Sequence, residues 1–263
     1  MLDQNAREVI DAALIGTPFY GGLHHFDSID STNTYALDQA RLGARHGSFY
    51  LADEQTAGRG RSDHQWVSNA GQGLYLTALL RPDLDAVDLV WLPLIAGLAA
   101  HRAIRDITAL DIDLRWPNDL LVGPRKAGGI LVEAQTEAGR ATAAVVGIGI
   151  NLHQRSFPIG LATEPTSLDL ETGRYASRDE LVVALLQALA AELELLGSAT
   201  GRFAIPARIA AISTWVEGRR VEVHGPQPCI GITAGLDERG FLRVRTAAGL
   251  VTVTTGGIRA AVD

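Results

Sequence analysis

Two short stretches hold the residue types that handle anions. EQTAGRGRSDHQW (54–66) carries Gly58, Arg59, Gly60 and Arg61. Paired glycines let a backbone approach a ligand closely and turn its amides toward negative charge, and each guanidinium can grip a carboxylate or phosphate through two hydrogen bonds. Taken alone, GRGR equally describes a solvated, glycine-broken loop with incidental arginines. It is not a P-loop, because no GK[ST] ending follows, and GIGINL (147–152) lacks the third glycine of a dinucleotide fingerprint.

The second stretch is RWPNDLLVGPRKAGGILVE (115–133). It contains Lys126, the single lysine in a chain with 22 arginines. An ammonium is a compact point charge on a flexible stem, whereas a guanidinium is a wide planar fork, so the two are poor substitutes where a charge must fit between small anions. An arginine-leaning composition also leaves one lysine by chance, but this one sits in a glycine-flanked turn near Trp116, Asn118 and Asp119. Arg115, Asn118 and Asp119 leave a strand end together beside an indole, which suits a nucleotide or metal-phosphate site. Read alone, WPND is as readily a turn whose Asn and Asp cap their own backbone. Asparagine gives an independent check: of the five (Asn5, Asn33, Asn69, Asn118, Asn151), three fall in STN, WPND and GIGIN. None of the seven histidines sits at a metal-ligand spacing, no serine lies in GxSxG, and Cys229 is the sole cysteine, so neither a cysteine metal cluster nor a covalent acyl-enzyme is expected.

The elements that must position these groups follow from periodicity. Helical spacing runs over 5–15, then LHHFDSI (23–29) alternates as a strand, with Asp30, Ser31 and Thr32 as caps for a helix over 33–42. A strand at 48–52 leads into the GRGR segment, predicted as a mobile surface loop. GLYLTALLRP (73–82) reads as a strand and 89–107 as a buried helix that Pro93 starts or kinks. Strands over 112–117, 129–137 and 143–152 form an antiparallel meander around the turn GPRKAG. Ser177 and Glu180 form a capping box for a helix over 177–197. From about Trp215 short strands separated by glycine turns predict a small separate β-barrel.

A length of 263 residues allows one large domain or a large and a small one. A net charge of −7 argues against a broad nucleic-acid or membrane-surface footprint, so any anion site is small and concave. No signal-like N-terminus and no apolar run near the ~20 residues of a membrane helix is present. With one cysteine, a reducing, cytoplasmic setting is the natural reading.

DSIDSTN, EQTAGRGR with Trp66 beyond it, GLYLTALLRP, RWPNDLL, RKAGGILVE, GIGINL, PTSL and GLDERGFLRVRTAAG, in that order, resemble the biotin protein ligase family over about residues 25–260. The resemblance implies an α+β fold, a mixed or antiparallel sheet with helices related to class II synthetases and lipoate ligases, followed by an SH3-like barrel. It divides the chain into a biotin- and ATP-binding catalytic domain (1–213) and the barrel (214–263), a short form without the DNA-binding winged helix of some members. It implies biotin and ATP as substrates with Mg²⁺, a biotin carboxyl carrier protein or domain of acetyl-CoA carboxylase as partner, no DNA or membrane partner, and leaves a homodimer open.

Carried over by position, Ser31, Thr32, Asn33 and Gln55 match the biotin pocket, together with Gly58, Gly129, Gly147 and Gly149. Arg59, Gly60 and Arg61 match the loop that closes over biotin and adenylate, and Lys126 the lysine that meets carboxylate and phosphate. Trp66, Asn118 and Asn151 match positions near ATP. Asp119 matches the acidic active-site residue, a candidate proton acceptor or Mg²⁺ ligand, so the implied catalytic set is Lys126, Asp119, Arg59 and Arg61. One departure stands out: Ser62, Asp63 and His64 occupy positions where many members continue with another Gly-Arg pair. The rival readings are a lipoate or octanoate ligase or transferase on the same fold and a non-enzymatic biotin-sensing repressor or binding module.

Overall fold

The computed structural model describes residues 2–261. The chain begins with helix α1 (Gln4–Ala13), capped by the Asp3 carboxylate, which accepts the Ala6 N–H at 2.7 Å. Strand β1 (Leu23–Phe26), helix α2 (Thr32–Arg41), β2 (Phe49–Ala52) and β3 (Gly73–Leu80) follow. Ser31 caps α2, its hydroxyl accepting the Thr34 N–H, as the spacing predicts. Helix α3 (Trp91–Thr108) has Pro93 in its first turn, where a missing N–H costs nothing, so the proline starts the helix and does not kink it. Then come β4 (Asp113–Arg115), β5 (Asp119–Val122), β6 (Arg125–Glu137), β7 (Arg140–Asn151), α4 (Leu168–Thr172), α5 (Arg178–Gly197) and α6 (Ala199–Ile212). Strands β8 (Glu217–His224), β9 (Cys229–Leu236), β10 (Leu242–Thr246), β11 (Gly249–Val253) and β12 (Gly257–Ala260) complete the chain.

The first seven strands make one mixed sheet in the order β1-β2-β3-β7-β6-β5-β4, with only β1 and β2 parallel. Alternation decides what each face carries. Leu74, Leu76, Ala78 and Leu80 of β3, with Ala144, Val146, Ile148 and Ile150 of β7, join the large core with α1, α3, α5 and α6. The intervening residues point the other way, where α2 packs on Tyr50, Leu79, Ala143 and Val145. The same face carries Thr77, Gly147, Gly149, Gly129 and Glu133, and there the helix leaves a trough beside glycines.

Two features differ from the sequence reading. The meander has an extra strand: β5 forms from DLLV, and the turn is Gly123–Pro124, so Lys126 lies in β6 opposite Leu121 and not in a turn. Four residues are too few to reveal a period, and the polar pair Arg125–Lys126 imitates a turn. Helices α4 and α6 had no predicted counterpart. The last five strands form a sheet of their own, ordered β11-β10-β9-β8-β12, that packs on the larger unit: Val221, Val223, Leu242, Val244 and Val253 belong to the same apolar cluster as Trp91 and Leu94, and the Trp116 Nε1–H donates to Gly240 O at 3.3 Å. By length and composition the span Ala86–Thr108 is apolar enough to cross a membrane, yet eleven residues of α3 are buried within the protein.

Gly240 seals that junction. It has φ +84°, and a Cβ there would lie 2.9 Å from Leu94 Cδ1 and from Trp91 Cζ3. Gly139, in the β6–β7 turn, has φ +80° but nothing within 4 Å of the same position. Both alanine variants carry the left-handed strain, and only Gly240→Ala adds a clash. Chemical denaturation should show a loss of about 1 kcal/mol for Gly139→Ala and about 3 kcal/mol for Gly240→Ala.

Candidate active site

The trough opens into a cavity of about 730 Å³, a volume in the range of small-molecule sites. Its wall takes in Ser31, Thr32, Asn33, Gln55, Arg59, Gly60, Arg61, Trp66, Asn118, Asp119, Lys126, Gly129, Gly147, Gly149 and Asn151. Of the residues matched to the biotin and ATP sites, Gly58 alone is off this wall. A Cβ on Gly58 would lie 2.3 Å from Trp66 O and 2.7 Å from Ser68 Oγ, so this glycine serves a close backbone crossing.

The short hairpins of β4, β5 and β6 bring the charges together. Register pairs Arg115 with Asp119 and Asp119 with Gly129. Asp119 Oδ2 accepts from Arg115 Nη2 at 2.6 Å and Nε at 3.1 Å, and Lys126 Nζ reaches Asp119 Oδ1 at 2.5 Å. Burial alone pushes the Asp119 carboxyl up, but Lys126 and Arg115 outweigh it and hold the group below its usual range. Lys126 is fixed at its backbone too, donating to Glu164 O at 2.7 Å and accepting from the Thr166 N–H at 2.9 Å.

The GRGR segment is not a featureless loop. It doubles back on itself: Trp66 N–H donates to Gly58 O at 2.9 Å, Gly60 N–H to His64 O at 2.7 Å, and Gln55 N–H to Ser68 O at 3.1 Å, around a short 3₁₀ turn over Arg61–Asp63. This strap crosses the trough and its two arginines differ. Arg59 is paired with Glu133 through Nη1 and Nη2 at 3.0 and 2.9 Å. Arg61 reaches only a neutral partner, donating to Asn118 Oδ1 at 3.1 Å, and no carboxylate of the described residues lies within ion-pair distance. Burial pushes the Arg61 guanidinium down, with the Asp119 charge acting in the opposite sense. His64, on the cavity rim, holds Arg61 O through Nδ1 at 2.8 Å.

The trough floor explains its glycines. A Cβ on Gly147 would sit 2.0 Å from Asn33 Oδ1, and one on Gly149 2.7 Å from the Trp66 indole. Trp66 therefore lies against β7 and also meets the Lys126 ammonium, 5.6 Å from its ring centre. A polar chain runs beneath: Thr77 Oγ1 contacts Asn33 Oδ1 at 2.7 Å and Thr32 Oγ1 at 2.8 Å, and Gln55 Oε1 accepts from the Thr32 N–H and hydroxyl at 2.9 and 3.0 Å. Asn151 donates to Thr166 O at 2.8 Å, which turns its own oxygen toward Gln154. On the wall the sequence reading missed Gln154, residues 156–158, 161–163 and the barrel residues His224, Gly225 and Gly256 to Arg259, and behind it the hydrogen-bonded Thr77, Ser68 and Glu133. The lone Thr77 in an apolar strand and Glu133 closing GILVE were the available signals.

Elsewhere, His25, Asp27 and Asp53 bring ligand-type atoms close together. Two of the three are already engaged: His25 Nδ1 meets Arg7, and Asp53 is bonded by His25 Nε2 at 2.8 Å and Arg178 at 2.6 Å. Burial opposes ionisation of Asp53, but those hydrogen bonds and charges bring its carboxyl to about 2.

Similarity to known proteins gives the family of the chain. The model of the biotin/lipoate A/B protein ligase family matches residues 25–151. The biotin--[acetyl-CoA-carboxylase] ligase of Paracoccus denitrificans is 35% identical over 228 residues, which cover 84% of this chain and 92% of that protein. The chain belongs to the biotin protein ligase family. The ligase of the same name from Mycobacterium tuberculosis is 32% identical, over 87% of this chain and 85% of its own. Among solved structures, biotin protein ligase from Aquifex aeolicus in complex with biotin and ATP superposes with a TM-score of 0.78 at 28% identity, covering 90% of this chain and 97% of that one. The chain spans about half the length of the first curated relatives it matches, bifunctional ligase/repressor proteins of Bacillus at 37% and 36% identity. The fold is accordingly the α+β biotin protein ligase fold with its small C-terminal β-domain.

Asp119 and Asp53 make a prediction about acid. Each has a folded-state value below the ordinary 3.8. The unfolded chain therefore takes up the proton first, and the stabilisation present above that value is lost as pH falls through the folded one. The slope of unfolding free energy against pH, between about pH 4 and 2, should shrink by up to about one proton in Asp119→Asn. Denaturant titrations across that range measure it, and an unchanged slope would mean that Asp119 is not held ionised.

Proposed function

We propose that the cavity binds biotin and ATP together, joins them as biotinyl-5′-adenylate, and passes the biotinyl group to a lysine of a carrier protein, the biotin carboxyl carrier of acetyl-CoA carboxylase. The observation that carries this reading is Arg61, a partly buried guanidinium whose hydrogen-bond partner among the described residues is the Asn118 amide. Among the described residues the cavity wall presents five cations (Arg59, Arg61, Arg115, Lys126, Arg259) and one carboxylate, Asp119, inside a chain of net charge −7. Such a site is built to receive anions. The names of the Paracoccus and Mycobacterium relatives, and the ligands named for the Aquifex structure, support biotin, ATP and the carboxylase carrier as their identities. The same reading places the enzyme in the cytoplasm.

In the first step a carboxylate oxygen of biotin attacks the α-phosphorus, and the bond to pyrophosphate breaks. Anion meets anion: two unit charges 4 Å apart at an effective dielectric of about 20 repel by roughly 4 kcal/mol. Lys126 and Arg61, both on the cavity wall, offset that repulsion. In the second step the carrier amine attacks the acyl carbon, AMP departs with the shared oxygen, and the amine loses a proton. A carboxyl depressed by two cations is a weak base, so we assign Asp119 to orient Lys126 and not to accept that proton. The Mg²⁺ role expected for Asp119 does not fit either, since one of its oxygens is taken by Lys126 and the other by Arg115. Among the described residues the wall holds no other carboxylate for Mg²⁺.

Incubating the protein with biotin, Mg-ATP and a carrier domain should add one biotinyl group to the carrier by mass analysis, with lipoate as the competing acid. Lys126→Arg keeps the charge but not its size, and biotin-dependent pyrophosphate release should fall ~100-fold. Full activity in that variant would remove Lys126 from the reaction. Asp119→Asn should slow adenylate formation by about 10-fold or more while transfer from preformed adenylate changes less, and the reverse pattern would restore the base role.

A further inference from the structure

We propose that Glu133 is a positioning residue that clasps the strap shut through Arg59 and ties that clasp to the acyl end of the trough through Asn33. The inference rests on the function proposed above and adds to it a division of labour between the two arginines of GRGR. Glu133 stands on β6, on the same face as Gly129, four residues further along the strand. Its two oxygens receive both terminal nitrogens of Arg59, and Oε2 also accepts from Asn33 Nδ2 at 3.1 Å. The orientation of the Asn33 amide is not a free choice. Its nitrogen faces Glu133 and Leu131 O (3.3 Å), which can only accept, and its oxygen faces the Thr77 hydroxyl, which can donate.

Followed onward, the bonds close a circuit. Arg59 leads to Glu133, Asn33, Thr77 and Thr32, the Thr32 N–H donates to Gln55 Oε1 at 2.9 Å, and Gln55 Nε2 donates to Ser68 Oγ at 2.8 Å. Gln55 and Ser68 are paired in backbone at the root of the strap, whose arm is Arg59. Root and arm are thus held by one network that runs under the acyl end of the trough. Arg59 spends its charge on Glu133, which leaves Arg61 and Lys126 to meet the reacting anions. A bidentate charge-assisted pair is directional as well as strong, so it fixes where the strap lies and not merely that it lies near.

Under this assignment Glu133 controls retention of the reactive adenylate, not the chemistry of forming it. The experiment uses the full chain with biotin and Mg-ATP, and reads two quantities: biotin-dependent pyrophosphate release in the first turnover, and labelling of serum albumin relative to the carrier domain. Glu133→Gln keeps the shape and removes the charge. It should raise albumin labelling relative to carrier about 10-fold, the lower end of what a charge-assisted bond is worth, with first-turnover pyrophosphate release within about 3-fold of wild type. Arg59 is 43% exposed, so Arg59→Gln leaves the core intact and should leak to the same extent. The double variant should leak no more than either single one. Equal leakage from wild type and Glu133→Gln, or additive leakage in the double variant, overturns the clasp while leaving the proposed function standing. Failure of the wild-type protein to release pyrophosphate with biotin and ATP overturns both.

Discussion

A carboxylate held between two cations is the constraint on which this site depends. Asp119 is mostly enclosed, and an isolated ionised carboxylate in such a place would take up a proton. Arg115 and Lys126 prevent that, and each is fixed by a different piece of chain: Arg115 by the β4–β5 hairpin and Lys126 by the β5–β6 turn and by Glu164 and Thr166. The triad therefore pins three strands and the following segment at one point. Removing one partner from such a cluster leaves a buried charge uncompensated, which costs more than the whole cluster contributes. Lys126 consequently has a defined place before any ligand arrives.

Strand alternation does the rest of the positioning. One face of β3, β6 and β7 is spent on the apolar core, and the same periodicity obliges the other face to present Thr77, Gly129, Glu133, Gly147 and Gly149. Two of those glycines have no room for a side chain because Asn33 and Trp66 occupy it. The indole therefore rests against the strands whose glycines were read as lining the biotin pocket, and it sits beside Lys126. Trp66 therefore stands between the glycine floor of the trough and the Lys126 ammonium.

Much of this was legible in the sequence. The segments STN, GRGR, WPND, RKAGG and GIGIN could be read as separate clues because each contains residues scarce in this chain, Asn and Lys, or a glycine pair, and the cavity wall draws on all five. Register was not legible. DLLV is too short to show a period, so β5 went unseen and Lys126 was placed in a turn. Nor could side-chain pairing be read: Arg59 and Arg61 are two residues apart and of the same type, yet one is neutralised by Glu133, 74 positions away, and the other is left with an amide. Such partners are chosen by the sheet, and no local pattern encodes them. The texture change near Trp215 marked the barrel correctly but hid the contacts of Trp116 and Trp91 with Gly240, because burial across a junction leaves the same apolar signature as burial within one.

The unequal arginines also bear on selectivity. If both guanidiniums faced the cavity unpaired, the pocket would attract any small polyanion, and the chain would pay for their mutual repulsion whenever it was empty. Pairing Arg59 with Glu133 lowers that repulsion and turns one charge into structure. Arg61 keeps its field but is partly buried, so its interaction with an anion is less screened than a surface charge would be. Lys126 lines the same cavity, partly balanced by Asp119. The positive potential is therefore concentrated between two groups, and an anion arriving there must come from a ligand whose shape also fits beneath the strap.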